Sequence, residues 1–166
     1  SYGIVIDPLS GGPVIATIEN NQIHHNAADG IGVGTGSSTS GSPIINVTIN
    51  NNTLFDNANN DISVYYTQGF ITANISNNTI YQTTYSSLVR GIFVAAQGFN
   101  QLNATIDNNS ITGTAVGIVV DSSTTSSSAT GIISHNTLTN NGYGIRIGPS
   151  YAANTPNLHF SITENR

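Results

Sequence analysis

The sequence predicts an all-β protein: a parallel solenoid of about six coils, each adding one strand to each of three short parallel sheets. Three observations predict it. A six-residue phrase, Ile-x-Asn-Asn-x-Ile, recurs along the chain. A second phrase, Gly-Ile-x-Val, keeps step with it. The residues between the phrases alternate apolar and polar, as strands with one buried face require.

The first phrase occupies Ile18–Ile23, Ile49–Leu54, Ile75–Ile80, Ile106–Ile111 and Ile133–Leu138, with a shortened copy from Ile162 to Arg166. Its leading isoleucines are separated by 31, 26, 31, 27 and 29 residues. The second phrase begins at Gly3, Gly30, Asp61, Gly91, Gly117 and Gly144, so Asp61 replaces a glycine found in the other five copies. Two phrases locked to one period are the signature of a repeat architecture, 1–166 forming a single domain.

Alternation then orients the strands. Ile45-Val47-Ile49, Ile71-Ala73-Ile75, Leu102-Ala104-Ile106 and Leu158-Phe160-Ile162 each send every second side chain inward. Stacked coils about 4.8 Å apart turn each inward position into an aliphatic column, with Ile18, Ile49, Ile75, Ile106 and Ile133 forming one of them. The asparagines at 21, 52, 78, 109, 136 and 165 occupy the bend after that strand. An αL-tolerant residue with an amide side chain suits a tight bend, and stacked amides can bond along the column.

Composition agrees. Isoleucine occurs 22 times against six leucines, with 23 Asn, 17 Gly and two Glu, and lysine and cysteine are absent. Strong helix formers are scarce, while β-branched and turn-forming residues abound. The three arginines and net charge of −5 argue against nucleic acid, and the same field disfavours strongly acidic polysaccharides. No apolar run approaches the roughly 20 residues that span a bilayer, so no membrane insertion is expected. No cofactor signature is present. The Ser/Thr/Asn/Gly bias is that of extracellular or cell-surface proteins. Six Asn-x-Ser/Thr sequons arise from the Asn/Thr-rich composition itself.

These phrases resemble the right-handed parallel β-helix repeats of pectate-lyase-like proteins over nearly the whole chain. The resemblance implies a right-handed coil. That family includes polysaccharide lyases, glycoside hydrolases, epimerases, phage tailspikes and surface proteins, so the scaffold does not choose an activity.

Glycoside hydrolysis needs two carboxyls about 5 to 9.5 Å apart. Asp7 and Asp121 share a column position four coils apart, about 19 Å, and Glu19 and Asp107 are three coils apart, about 14 Å. One alternative catalytic group remains: Asp29, Asp61 and Arg90 at neighbouring positions of three successive coils, with Asp56, His24 and His25 on the adjoining turn. As an active site, Asp29 and Asp61 act as acid and base. As structure, Arg90 pairs with Asp61 on the surface. A lyase lacks cations to neutralise its substrate, and the acids are too dispersed for a Ca²⁺ cage. His24-His25 is a weak metal signal, because adjacent strand residues face opposite ways.

Tyr65, Tyr66, Phe70, Phe93 and Phe99 cluster on the second and third coils, where Gln68-Gly69-Phe70 is echoed by Gln97-Gly98-Phe99, and are the candidate binding residues for a neutral polysaccharide. The outward grid Thr17, Thr48, Asn74, Thr105 beside Asn46, Thr72, Asn103 has the regularity of an ice-binding face, interrupted at Ile15, Ile132 and His159. Neither end carries a capping helix or polar terminal coil, which predicts self-association along the axis, or continuation in a longer chain. The expected function is a non-catalytic surface, adhesive or filament-forming module. The alternatives are a hydrolase of neutral glycans using Asp29 and Asp61, and ice binding.

Overall fold

The computed structural model describes residues 1–8, 12–34, 42–122, 126–149 and 157–166, apart from the side chains of Thr67 and Phe99. Much of the three low-complexity connections after the Gly-Ile-x-Val strands lies outside the described residues. Within them there is no helix.

Three parallel stacks wrap one core. Sheet 1 runs β1 (Ile4–Ile6), β4 (Ile31–Val33), β7 (Asn60–Ser76), β9 (Arg90–Asp107), β11 (Val116–Ser122), β14 (Tyr143–Ile147). Sheet 2 runs β2 (Val14–Glu19), β5 (Ile44–Asn50), the second halves of β7 and β9, β12 (Ser128–Ser134), β15 (Asn157–Thr163). Sheet 3 is β3 (Gln22–His24), β6 (Thr53–Phe55), β8 (Thr79–Tyr81), β10 (Ser110–Thr112), β13 (Thr137–Thr139). Five sheet-3 strands against six in the other stacks make about five full turns, where the six phrases predict about six coils.

The strands are not all short. β7 and β9 each run unbroken around the corner between sheets 1 and 2 and join them into one. A register shift between Tyr66 and Gln68 marks the corner. Gly69 (φ 96°) and Gly98 (φ 63°) supply the left-handed backbone that the bend needs. A Cβ on Gly69 would also lie 2.3 Å from the Pro43 carbonyl oxygen, so no other residue fits.

The expected columns form. Ile18, Ile49, Ile75, Ile106 and Ile133 are in register, and each is at most 5% exposed. Burying each contributes about 1.5–3 kcal/mol. Ile23, Leu54, Ile80, Ile111 and Leu138 form the column of sheet 3 facing them.

At the first bend, left-handedness and hydrogen bonding fall to two different residues. Asn20, Asn51, Asn77, Asn108, His135 and Glu164 take positive φ, between 53° and 59°. The asparagine that follows each is the ladder residue. Asn78, for example, gives both its backbone N–H and its side-chain Nδ2 to Asn109 Oδ1, each at 2.9 Å, and Nδ2 also reaches the Ile49 carbonyl. The pattern runs unbroken from Asn21 to Asn165.

Candidate functional site

A second, less regular ladder stands at the next corner, between sheets 3 and 1. Three residues beyond each sheet-3 core residue come Asn26, Asn57, Thr83, Thr114 and Asn141. Asn26 donates to Asn57 Oδ1 through N and Nδ2, and Thr114 does the same to Asn141 through N and Oγ1. On the third coil threonine replaces asparagine and the connection lengthens over residues 83–88. Asp61 and Asp29 sit beside this break.

Asp61 takes the glycine position of the second phrase. A Cβ at its equivalents Gly30, Gly91 or Gly117 would meet Leu54, Ile111 or Leu138, all inward-facing side chains. The Asp61 carboxyl therefore points into the corner and is 0% exposed. Oδ1 accepts from Asn57 Nδ2 at 2.8 Å and Oδ2 from Gln82 Nε2 at 2.9 Å. Burial pushes its pKa up from 3.8 to about 7; the two amide hydrogen bonds oppose that, and the nearby Asp56 and Asp29 carboxylates add to it.

Asp29 is also buried, at 2% exposure, among other partners. Oδ1 accepts from the Asn60 backbone N–H, Asn60 Nδ2 and Asn59 Nδ2, and Oδ2 from Ser63 Oγ. Ser63 is in register with Phe93, whose ring lies outside the core in a second apolar cluster with Ala95, Val116 and Val119. The two carboxyls thus lie on opposite sides of the sheet-1 backbone and share no partner. Neither faces an open groove, which removes the geometry an acid/base pair requires.

The surface ion pair expected between Arg90 and Asp61 is also absent. Asp61 is enclosed and Arg90 lies outside it, its guanidinium over the Phe93 ring at 4.9 Å from the centroid. Both readings of the Asp29–Asp61–Arg90 group placed Asp61 on the surface, and its inward direction overturns both.

The aromatic group does not converge either. Tyr66 is 1% exposed and belongs to the core, out of reach of a surface ligand. Phe93 is buried in the second cluster, with Tyr65 against its edge, ring centroids 5.9 Å apart. Phe70 is half exposed on the outer face of sheet 2, next to Ile44 and Gln101. The Phe99 side chain lies outside the described residues. Neighbours in sequence alternate between faces, so nearness along the chain disperses these rings.

The chain also stacks one set of rings that does not belong to the aromatic group expected from sequence. His24, Phe55 and Tyr81 are in register on the outer face of sheet 3, with centroid distances of 4.5 and 4.9 Å and planes within 14°. The signal was their shared position, one residue after Ile23, Leu54 and Ile80. Phe55 is covered on both faces by its neighbours, and the stack stabilises the sheet. His24 and His25 meet through their Nδ1 atoms at 2.8 Å. Among the described residues no three His, Cys, Asp or Glu side chains gather as a closed metal site would require.

The outer face of sheet 2 carries the polar grid in the expected register: Thr17, Thr48, Asn74, Thr105, Ile132, Ser161 beside Ile15, Asn46, Thr72, Asn103, Thr130, His159. Ile15 (84% exposed) and Ile132 (46%) interrupt it.

A family model described as "Right handed beta helix region" matches residues 1–165. No curated protein and no solved structure matches the chain.

Proposed function

The chain belongs to the right-handed β-helix family, and from that premise we propose that it is a non-catalytic structural module of the cell exterior, working through stacking and surface contact. The observation that carries this reading is the state of Asp29 and Asp61. The carboxylates best placed by sequence for acid/base work are enclosed, on two sides of one backbone wall, and occupied by amide and hydroxyl donors.

The outermost coils support the stacking part. Columns sealed in the middle of the molecule open at both extremes. Ile4, Ile6, Val14 and Ala16 are only partly buried at one end, as are Leu138, Ile145, Ile147, Leu158 and Phe160 at the other, and Ile162 is 50% exposed. A further coil on either side, from a second copy or from more of the same chain, would seal these columns and pair the open strand edges. An adhesive or filament-forming role follows from such stacking combined with the polar grid of sheet 2.

Sedimentation velocity and electron microscopy across a concentration series test this reading. Elongated species that grow with concentration are expected. Strictly monomeric particles at every concentration, or hydrolysis of a neutral glycan abolished by Asp61→Asn, would overturn it.

A further inference from the structure

His24 and His25 follow one another in the chain, and the backbone between them decides what their rings can do. His24 ends β3 and stands on the outer face of sheet 3, in register with Phe55. Strand alternation would send His25 to the opposite face. His25 is no longer strand: it takes a left-handed backbone, φ 56°, at the corner between sheets 3 and 1. That turn brings its ring back beside His24, so the opposition that weakens a His-His metal signal in a strand does not arise here.

Two residues of the next coil hold the pair. Phe55 stacks on His24 with centroids 4.5 Å apart and meets His25 edge-on at 5.8 Å. Rings packed in this way have less rotamer freedom to lose when they take a ligand. Asp56 Oδ2 stands 3.9 Å from His25 Nε2. Asp56 is itself fixed, accepting from the Thr83 backbone N–H and hydroxyl. A carboxylate on that side draws the imidazole proton to Nε2 and leaves Nδ1 with a bare lone pair. This is the support that metal-ligating histidines receive from a residue behind them.

The two Nδ1 atoms are 2.8 Å apart. Ligands about 2.0 Å from one ion are about 2.8 Å apart when they meet it at a right angle, and about 3.3 Å apart in a tetrahedron. The observed spacing matches the right angle of tetragonal coordination, which Cu(II) and Ni(II) favour and zinc does not. With His25 Nδ1 accepting, His24 Nδ1–H donates. A metal ion takes the place of that hydrogen, and the His24 proton passes through solvent to Nε2, so no net proton is gained or lost.

We propose that His24 and His25 chelate one divalent transition-metal ion, Cu(II) by preference, through their two Nδ1 atoms, with Asp56 as the positioning residue behind His25. The net charge of −5 favours a cation at the surface. No third His, Cys, Asp or Glu side chain joins the pair among the described residues, so water completes the coordination and the site is open. His135 offers no such pair, since its two ring nitrogens face Asp107 and Glu164 on opposite sides. The proposal is independent of axial stacking.

Titration of Cu(II) into the protein, followed by calorimetry and by pulsed EPR, which counts the imidazoles on the ion, tests it. The wild type should bind one Cu(II) through two imidazoles. His25→Gln, at an exposed position whose fold circular dichroism can verify, should lose one imidazole from that signal. Asp56→Asn should keep both imidazoles and weaken binding about 10- to 100-fold, the range for losing a carboxylate behind a ligating histidine. His159→Gln should change neither the signal nor the affinity. One imidazole or none in the wild type, two imidazoles retained in His25→Gln, unchanged affinity in Asp56→Asn, or a ligand lost in His159→Gln would each overturn the proposal.

Discussion

Asn57 gives its side-chain amide to the Asp61 carboxylate, 2.8 Å away, on the coil where the corner ladder loses its next asparagine. Elsewhere the amide of such an asparagine goes to the corresponding residue of the following coil, as Asn26 does to Asn57. Thr83 occupies that position here and bonds instead to Asp56. Asp61 takes over as acceptor, and Gln82 closes the other side of its carboxyl.

That substitution makes stability depend on pH. The Asp61 carboxyl titrates near 3.8 when unfolded and about 7 when folded. Between those values the native state keeps a proton that the unfolded chain has released. Stability is therefore full below about pH 4 and is lost as pH rises through 7. A displacement of this size corresponds to roughly 4 kcal/mol. Asp61→Asn removes the charge and keeps one acceptor oxygen for the Asn57 amide, while its new NH2 can donate to Gln82 once that side-chain amide turns over to present Oε1. In urea denaturation it should flatten the curve between pH 4 and 8 and exceed the wild type in stability at pH 8. Identical pH dependence in both proteins would show that another group titrates.

Breaking the main ladder should cost far more than its surface position in the sequence suggests. Asn109→Ala leaves the Asn78 N–H and one hydrogen of its Nδ2 without their acceptor and takes a donor from the Ile75 carbonyl, all in the interior. A loss of about 2–5 kcal/mol is expected, since each buried unpaired group costs about 1–3 kcal/mol. Its neighbour Asn108, exposed and at φ 54°, is the control. Asn108→Gly suits the same left-handed backbone and should change the urea midpoint little.

Core truncation should separate the columns from the surface just as clearly. Ile106→Ala, at a fully buried site, should destabilise by about 2–5 kcal/mol. Leu88→Ala, at 81% exposure, should leave the thermal midpoint unchanged.

His135 provides a local pH reporter. Its Nδ1 lies 2.8 Å from Asp107 and its Nε2 3.0 Å from Glu164. The hydrogen bond to Asp107 raises the imidazole pKa, and Glu164 adds to the rise. The pairing is thus complete below the usual pKa of 6.5 and is lost as pH rises through the elevated one. An NMR titration should place His135 above 6.5, and Asp107→Asn should move it down. No movement on that substitution would assign the rise elsewhere.

The inward columns were legible in the sequence because alternation reveals direction. Ile49 and Ile75 announce their face through Asn50, Ser76 and the residues before them. Position 61 was not legible. Its equivalents are glycines, which have no side chain to betray which way the backbone points, so Asp61 read as a surface residue. The αL residue stands one position before the ladder asparagine, and the sequence conceals that for a similar reason. In Asn51-Asn52 and Asn108-Asn109 two asparagines stand side by side, and composition cannot divide conformation from hydrogen bonding between them. His135-Asn136 and Glu164-Asn165 held the clue, since only the second member of the pair is always asparagine.

The direction of the hydrogen bonds has a mechanical consequence. The parallel-strand bonds and the ladder bonds from each asparagine to the next run from coil to coil, along the solenoid axis. Pulling the two ends apart along that axis loads one interface at a time, so the molecule peels in steps, each the length of a coil. Shearing one coil sideways across the next loads a whole interface at once. The interface between β7 and β9, paired from Asn60–Ser76 to Arg90–Asp107 and continuous around a corner, is the longest of these. A single-molecule force trace should peel the outer coils first and pause last at this central pair.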